Sequence, residues 1–260
     1  MKTNKAVSWF SCGAASAVTS KLALKKYGDD VDIVYCDTGS EHDSNMQFLH
    51  DCEKWFDREI IIMKNEKYDD VLDVLRKKKF ITNQYGFAYC THELKIKLRN
   101  ESGYCDSINL FGYTAEETKR AEKLEEHAID MTFEFPLIEK RLNKDDTLGI
   151  IWKAEIKLPV MYELGYDHNN CIGCIKGGIG YWNKIRIDFP EQFNAMADME
   201  RELGITVLKY RSGERIGQRM YLDELDPSAG NFNSEPNIQC GLDCNLTMME
   251  LNKEDNNEQN

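Results

Sequence analysis

The stretch SWFSCGAASAVTSKLALKK, residues 8–26, decides the fold because it places small side chains between an apolar strand and a helix. Residues 6–10 predict a buried strand, and residues 16–28 predict a helix that stops at Gly28. A strand that turns sharply into a helix through small residues directs backbone N–H groups and the helix dipole at one point. The segment between them, residues 11–16, therefore predicts an anion site rather than an empty tight turn.

The side chains of this first turn suit a phosphate group. Gly13 can adopt a positive φ, and the hydroxyls of Ser11 and Ser16 are hydrogen-bond donors. Cys12 is interpreted as a small filler within the turn. The nucleotide-binding residues predicted here are Ser11, Cys12, Gly13, Ala14, Ala15 and Ser16.

Strands and helices alternate along the first half of the chain. Further strands are predicted at 31–36, 59–63, 107–113 and 131–137, and helices at 44–56, 69–79, 92–101 and 115–128. This alternation is typical of a parallel sheet. The predicted fold is therefore α/β, a doubly wound parallel sheet of about five strands with a smaller, cysteine-bearing helical region.

The pattern changes near residue 140, where we place a domain boundary. Residues 1–140 are predicted to form an adenine-nucleotide-binding domain. Residues 141–249 are predicted to form a helical metal- or cluster-binding region with a C-terminal tail. The acidic, polar residues 250–260 need not fold and are predicted to be disordered.

Composition and charge limit the functions open to the chain. Of its 260 residues, 42% are apolar and 30% are charged, which is typical of a folded globular protein. The formal net charge of −12 argues against bulk electrostatic binding of nucleic acid, although a local basic groove is left open. We recognise no secretory signal and no membrane span, so we expect a cytoplasmic protein without a membrane partner.

A second polar turn, YCDTGSEHD at residues 35–43, follows the second predicted strand. In a parallel sheet this turn lies beside the first one, where ligands bind at the carboxyl ends of strands. Asp37 lies where an acid can accept a hydrogen bond from a ribose; the alternative is a turn acid or helix cap. The nucleotide-binding residues predicted here are Asp37, Thr38, Gly39 and Glu41.

Nine cysteines without a secretory signal indicate a reducing compartment, where thiols are ligands, nucleophiles or core residues. Cys171 and Cys174 form a C-x₂-C pair, and Gly173 between them can turn so that both sulfurs face one ion. Cys240, Cys244 and Cys90 are further candidates for the same ion, and Cys36, Cys52 and Cys105 are expected to be core residues. Four thiolates suit zinc or an iron–sulfur cluster; a redox disulfide between the C-x₂-C cysteines is the weaker alternative.

Together these motifs resemble the phosphoadenosine phosphosulfate (PAPS) reductase family of the adenine nucleotide alpha-hydrolase-like superfamily. Residues 11–16 resemble the PP-loop, and residues 37–39 resemble the Asp-Thr-Gly that follows it in the reductases. Four further segments resemble family motifs: YCTHELK (89–95), LFGYTAEETKRA (110–121), NNCIGC (169–174) and QCGLDC (239–244). The resemblance implies a Rossmann-like sheet of the PP-loop type.

The resemblance also implies roles for individual residues. It puts Cys90, Cys171 and Cys174 in one metal site, a 4Fe-4S cluster or zinc, with a tail cysteine as fourth ligand. The tail motif begins at Cys240, so we assign Cys240 as the catalytic nucleophile and Cys244 as the ligand; the reverse assignment stays open. The catalytic cations implied are Lys95 and Arg120.

Three departures from the family pattern bear on the substrate. Ala15 stands where ATP-cleaving relatives have Asp, which favours sulfonucleotide chemistry. Thr114 stands where the family has Arg, which leaves Lys119 and Arg120 as nearby cations. Asp243 stands where the reductase tail has His.

The expected function is that of an enzyme in sulfur metabolism that binds an adenine nucleotide, either a sulfonucleotide or ATP. Its chemistry is predicted to be reductase-like, with thiol and metal support. The alternatives are ATP-dependent adenylation with sulfur transfer or nucleobase modification, and a non-catalytic nucleotide sensor. A thioredoxin-like reductant and a second copy of the chain are the protein partners considered.

Two features receive simpler interpretations, and one set of cations is assigned to the bound anion. Glu116 and Glu117 are taken as a solvated helix face. Trp182 is expected to pack in the interior rather than to stack on a base. The cations expected nearest a phosphate or sulfate in the cysteine region are Lys176, Lys184 and Arg186.

Overall fold

A five-stranded parallel sheet forms the centre of the computed structural model, which describes residues 5–82, 87–128, 130–210, 216–236 and 238. The strand order is β3-β2-β1-β4-β5, and each neighbouring pair is parallel. The strands are β1 (Ala6–Phe10), β2 (Val31–Asp37), β3 (Ile61–Lys64), β4 (Ile108–Leu110) and β5 (Thr132–Glu134). The predicted α/β fold with a Rossmann-like parallel sheet is confirmed.

Helices connect the strands and continue beyond them. The first six are α1 (Ala14–Tyr27), α2 (Ser44–Phe56), α3 (Val71–Lys78), α4 (Tyr89–Thr91), α5 (Lys97–Glu101) and α6 (Thr118–His127). The π-helical segment His92–Ile96 joins α4 to α5. The later helices are α7 (Pro136–Glu139), α8 (Lys144–Lys153), α9 (Val160–Glu163), α10 (Ile179–Asp188) and α11 (Pro190–Leu203). A short antiparallel pair, β6 (Leu208–Lys209) and β7 (Arg219–Met220), follows them.

Both faces of the sheet are covered, as a doubly wound fold requires. On one face Phe10 packs with Val18 of α1, Phe48 of α2 and Ile151 of α8. On the other face Val7, Trp9 and Val34 pack with Leu124 of α6. Since α8 packs its Ile151 into the first of these clusters, part of the chain beyond residue 140 packs on the sheet; the boundary predicted there stays a prediction.

A separate core holds the helical region together. Trp182 and Ile185 of α10 pack with Phe193 and Met199 of α11, and Trp182 is fully buried. The interpretation of Trp182 as a core residue is therefore correct. None of the helices in the described part of the chain is long and apolar enough to cross a membrane.

Two residues are more exposed than expected. Met46 has the helical spacing of the buried residues Leu49 and Cys52 in α2, but it is 36% exposed. Cys105, predicted as a core residue, is only partly buried. Cys36 and Cys52, by contrast, lie in the interior as predicted.

Candidate active site

A cavity of about 490 Å³ opens at the carboxyl ends of β1, β2 and β4. Its wall includes Phe10 at the end of β1, Cys36 at the end of β2, and Phe111 directly after β4. The chain moves outward from β1 to β2 and β3 and then returns to the other side of β1 with β4. Ligands of open α/β sheets bind at such a switch point.

The first turn (residues 11–16) forms one wall of this cavity and is organised around a single hydroxyl. The Ser16 Oγ accepts hydrogen bonds from the backbone N–H groups of Ser11 at 3.0 Å and Gly13 at 3.3 Å. It donates in turn to the Gly13 carbonyl at 2.9 Å. Apart from Cys12, every residue of the turn lines the cavity. Since the first N–H groups of a helix lack partners within it, the start of α1 can receive an anion there.

Gly112, just beyond β4, allows the first turn to lie this close to the neighbouring strand. A Cβ at Gly112 would lie 2.8 Å from the Ser16 backbone nitrogen. Real Cβ atoms essentially never come that near to backbone, so a larger residue would displace the start of α1. The turn geometry therefore depends on a glycine about a hundred residues away.

Residues from beyond the sheet support the first turn from outside. Cys12 has a φ of 55°, and its carbonyl accepts from the Asn169 Nδ2 at 2.9 Å. The Asn169 Nδ2 also donates to the Asn45 Oδ1 at 2.7 Å. The Tyr162 hydroxyl accepts from the Ala14 backbone N–H at 3.4 Å, and burial raises the pKa of Tyr162 to about 12. Tyr162 is therefore a neutral phenol at physiological pH.

Residues 37–40 of the second turn are engaged with protein rather than with the cavity. The Asp37 carboxylate accepts from the Gly39 backbone N–H at 2.9 Å, as in the turn-acid alternative. The Thr38 Oγ1 lies 3.2 Å from the Cys171 Sγ. A Cβ at Gly39, whose φ is +66°, would lie 2.0 Å from the Asp69 carbonyl oxygen. Asp37, Thr38 and Gly39 are not among the described residues that line the cavity.

Glu41 and Lys95 bring opposite charges to the cavity from the β2 side. The Lys95 Nζ lies 3.9 Å from the Glu41 Oε1, and only 13% and 6% of the two side chains are exposed. The Tyr35 hydroxyl donates to the Glu41 carboxylate, and burial together with that negative charge raises the pKa of Tyr35. Two predicted site residues, Lys95 and Glu41, therefore do reach the cavity.

Arg120 reaches the cavity from α6. Its Nη1 lies 2.6 Å from the Glu117 Oε1, and its guanidinium carbon is 4.2 Å from the centre of the Tyr113 ring. Glu117 also accepts from the Thr114 backbone N–H at 3.0 Å. Thr114 therefore begins the helical turn that leads into α6. Arg120, one to two turns further along, brings its positive charge to the cavity. The interpretation of Glu117 as a solvated helix face is wrong because its carboxylate positions Arg120.

Further charged residues line the cavity without having been predicted to do so. The Lys144 Nζ lies 2.9 Å from the Asp167 Oδ1, which links α8 to the segment before the cysteine pair. The Glu116 carboxylate, also read as a solvated face, accepts from the Lys144 backbone N–H at 3.4 Å. The sequence gives little indication that Lys144 is a site residue, because Lys144 is only a charged residue at the start of a helix.

The cations expected from the cysteine region are engaged elsewhere. The Lys184 Nζ pairs with the Asp188 Oδ2 at 2.7 Å within α10. The Arg186 guanidinium donates to the carbonyls of Leu222 and Leu225. Lys176, Lys184 and Arg186 are absent from the described cavity lining, so their expected place beside a phosphate or sulfate stays a prediction.

The cysteine pair lies behind the second turn. Cys171 and Cys174 are buried, and Gly173 between them has a φ of +70°, as their spacing predicts. The Tyr181 hydroxyl accepts from the Cys174 backbone N–H at 2.9 Å and donates to the Cys171 carbonyl at 3.4 Å. The pair is thereby held in a fixed loop.

The remaining predicted ligands are only partly covered by the structure. Cys90 is partly buried and packs against the same core as Cys171 and Cys174. No group of three or more His, Cys, Asp or Glu side chains forms a metal site within the residues that the structure describes. Cys240 and Cys244 lie outside the described residues. Two buried thiols in one loop are ligands that suit a thiophilic metal. The four-cysteine site stays a prediction, because the described residues do not gather three ligands and the tail cysteines lie outside them.

The chain matches a known protein family over a region that includes most of this cavity. A model of the phosphoadenosine phosphosulfate reductase domain matches residues 5–177, more than half of the 260 residues. The chain belongs to the phosphoadenosine phosphosulfate reductase family. The part that matches this reductase domain contains both turns, Lys95, Arg120 and the cysteine pair.

Two curated relatives of this reductase-family chain come from Methanocaldococcus jannaschii. The uncharacterized protein MJ0066 is 27% identical over 206 residues, which cover 74% of this chain and 41% of that protein. The uncharacterized protein MJ0973 is 22% identical over 203 residues, which cover 75% of this chain and 47% of that protein. The chain spans less than half the length of these relatives.

Among solved structures, the chain is similar to a U34-tRNA thiolase, NcsA from Methanococcus maripaludis, described with its 4Fe-4S cluster. The sequence identity is 13% and the TM-score is 0.43, with 85% of this chain and 80% of that chain covered.

Proposed function

We propose that this protein is an enzyme that binds an adenine nucleotide in the cavity and carries out thiol-dependent sulfur chemistry on it. The observation that carries the proposal is the first turn, which aims the start of α1 into a cavity at the switch point of the sheet. A volume of about 490 Å³ lies within the range of small-molecule sites. Family membership supports the nucleotide class, since the family is named for an adenine nucleotide.

The arrangement of cations favours a sulfonucleotide as the substrate. Arg120 lies on the Tyr113 ring in the cavity and can stand in for the arginine that Thr114 replaces in the family pattern. Lys95 and the start of α1 face the same space. A phosphate on the first turn would leave these cations to bind the sulfonate oxygens.

The proposed reaction proceeds in two displacements. The Cys240 thiolate attacks the sulfonate sulfur, an S–S bond forms, and the bond from sulfur to the phosphate oxygen breaks, so the nucleotide leaves. A thiolate of a thioredoxin-like reductant then attacks the Cys240 sulfur and releases sulfite. The second thiol of the reductant closes its disulfide and returns Cys240 as a thiol, so the two electrons come from that dithiol.

Cys171 and Cys174, with Cys90 and Cys244, are the proposed ligands of a zinc ion or an iron–sulfur cluster. A bound metal would tie the loop behind the second turn to the tail and add its binding free energy to folding. Metal analysis and absorption near 400 nm after anaerobic purification distinguish zinc from iron–sulfur. Cys174→Ala should lose both metal and stability; metal-free, stable and fully active wild-type protein would contradict this assignment.

The nucleotide proposal is tested by thermal shift with ATP, AMP, adenosine phosphosulfate and PAPS. Selective stabilisation by the sulfonucleotides supports reductase-like chemistry. Selective stabilisation by ATP supports the second candidate, adenylation with sulfur transfer, for which the first turn would hold the leaving pyrophosphate. Binding without turnover of any of the four would support a sensor, and absence of binding would overturn the proposal.

The tail cysteines are tested by two substitutions. Cys240→Ser should abolish sulfite release while nucleotide binding and metal content stay nearly intact, because a nucleophile acts only in the chemical step. Cys244→Ser should lose metal before any kinetic effect can be measured. Loss of metal in Cys240→Ser with a normal site in Cys244→Ser would reverse the assignment.

A further inference from the structure

The π-helical segment His92–Ile96 carries Lys95 to the cavity. At its end the Lys97 backbone N–H donates to the His92 carbonyl, five residues earlier, so this turn holds one residue more than an α-helical turn. Such π turns are rare and are frequent at functional sites. Since each residue of an α-helix rotates the chain by about 100°, loss of the extra residue from the turn would redirect the side chains around it. The direction of Lys95 therefore depends on the π turn.

Two hydrophobic cores hold the side chains on either side of Lys95. Leu94 is buried in the core of the helical region, which contains Trp182. Ile96 is buried in the core on one face of the sheet, which contains Val7. The segment therefore lies where the two cores meet, and Lys95 faces the cavity between them. Apolar packing does not pair the polar backbone groups of the segment, and these need partners of their own.

Asn65 gives the backbone of this segment a buried hydrogen-bond donor. It follows β3 directly and is 8% exposed, and its Nδ2 donates to the Glu93 carbonyl at 2.9 Å. Its Oδ1 accepts from the Lys67 backbone N–H at 3.1 Å, so both ends of the amide are engaged. A carboxylate in this place would keep the acceptor but lose the donor. The side chain of Glu93 is held as well, because the Lys78 Nζ lies 2.6 Å from its Oε1.

We infer that Asn65 is a positioning residue for Lys95, because it holds the π turn that directs the ammonium group into the cavity. Glu41 holds the other end of this side chain, with its Oε1 3.9 Å from the Lys95 Nζ. Asn65 is not among the described residues that line the cavity, so it acts on a ligand through the Glu93 carbonyl and the segment that follows. The inference rests on the proposed nucleotide site, in which Lys95 faces the sulfonate.

A double-mutant cycle, measured by isothermal titration calorimetry with adenosine phosphosulfate, tests this role. All variants carry Cys240→Ser, so that the bound nucleotide is not consumed. Lys95→Met should weaken binding about tenfold, through the loss of a charge-assisted contact. Asn65→Ala should weaken it about fivefold when Lys95 is present but less than about 1.5-fold when Lys95 is methionine, because the group that Asn65 positions is then gone.

Asn183→Ala is the matched control. Asn183 is also 8% exposed, and its Nδ2 donates to the backbone carbonyls of Asp226 and Ala229 at 2.8 Å each. It lies in α10, outside the described cavity lining. The urea midpoint of this variant should fall at least as far as that of Asn65→Ala, since two hydrogen bonds are lost. Its affinity for adenosine phosphosulfate should nevertheless change less than about twofold, and its effect should be additive with that of Lys95→Met.

Three results would overturn the role of Asn65. They are equal losses of affinity in Asn65→Ala and Asn183→Ala, additive effects of Asn65→Ala and Lys95→Met, and unchanged affinity in Lys95→Met. If Asn65→Ala does not fold, Asn65→Gln, which keeps the amide but moves it by one methylene, takes its place in the cycle with the same outcomes. Failure of adenosine phosphosulfate to bind when Asn65 and Lys95 are intact would instead contradict the proposed sulfonucleotide site.

Discussion

The first turn and the second turn lie side by side at the carboxyl edge of the sheet, and both consist mainly of small or polar residues. In the first, Ser16 gathers the backbone N–H groups of the loop and leaves the start of α1 facing the cavity. In the second, Asp37 turns back on Gly39 and Thr38 contacts Cys171. Similar residues after neighbouring strands therefore have two different roles. The first turn faces the cavity, and the second turn joins the sheet to the cysteine loop.

A glycine-to-alanine change in each turn should give the largest difference between the two turns, measured as the free energy of unfolding. Gly39→Ala requires a positive φ and places a Cβ 2.0 Å from the Asp69 carbonyl oxygen. We expect it to lower the free energy of unfolding by about 3 kcal/mol. Gly13 has a φ of −108°, and its Cβ would meet the Tyr162 hydroxyl at 3.2 Å and the Ser11 Oγ at 3.8 Å, so Gly13→Ala should cost less than about 1 kcal/mol. Urea denaturation of both variants checks this, and equal losses would contradict the contrast.

Removal of one hydroxyl from each turn should separate stability from binding. Ser16→Ala leaves the N–H groups of Ser11 and Gly13 without their shared acceptor. It should cost about 2 kcal/mol of stability and about tenfold in nucleotide affinity. Thr38→Val should cost about 1 kcal/mol and leave affinity unchanged. Calorimetry on both variants checks the difference, which would be refuted if Thr38→Val lost affinity as Ser16→Ala does.

Two neighbouring cations of α6 should differ in their effect on nucleotide binding, and this difference is smaller than those above. Arg120 lines the cavity, whereas Lys119 is exposed and outside its described lining. Arg120→Gln should weaken binding of adenosine phosphosulfate about tenfold, through the loss of one charge-assisted contact. Lys119→Gln should change it less than twofold. Equal effects of the two changes would remove Arg120 from the proposed site.

The smallest of the expected effects is the change of nucleotide affinity with pH. Burial raises the pKa of Cys36 to about 11 and that of Tyr162 to about 12, so both cavity groups stay neutral up to pH 9. Affinity for AMP should therefore vary less than about twofold between pH 7.5 and pH 9. A tenfold fall in this interval that disappears in Cys36→Ser would show that the Cys36 thiol ionises and repels the phosphate.

The order of strands and helices could be predicted because each element carries its own local signal. The helix predicted at 44–56 has those same bounds as α2, Ser44–Phe56. The strands predicted at 107–113 and 131–137 are shorter in the structure, as β4 and β5. Their apolar character continues beyond the sheet because residues such as Phe111 and Tyr113 pack in the core and line the cavity wall.

The candidate site could be predicted only where a motif carries it. The first turn, Lys95, Glu41 and Arg120 follow from local sequence or from the family resemblance, and they reach the cavity. Lys144, Tyr162 and Asn169 reach it through long-range packing that no local pattern records. Asp37, expected from its position to bind the ribose, accepts from the Gly39 N–H two residues away, as in many Asp turns, and does not line the described cavity.

Hydrogen–deuterium exchange with and without saturating nucleotide compares the two turns most directly. We expect adenosine phosphosulfate or AMP to slow exchange of backbone amides in residues 11–16, because the bound phosphate accepts from the start of α1. We expect no change in residues 37–40, whose contacts are within the protein. Protection of residues 37–40 without protection of residues 11–16 would contradict it.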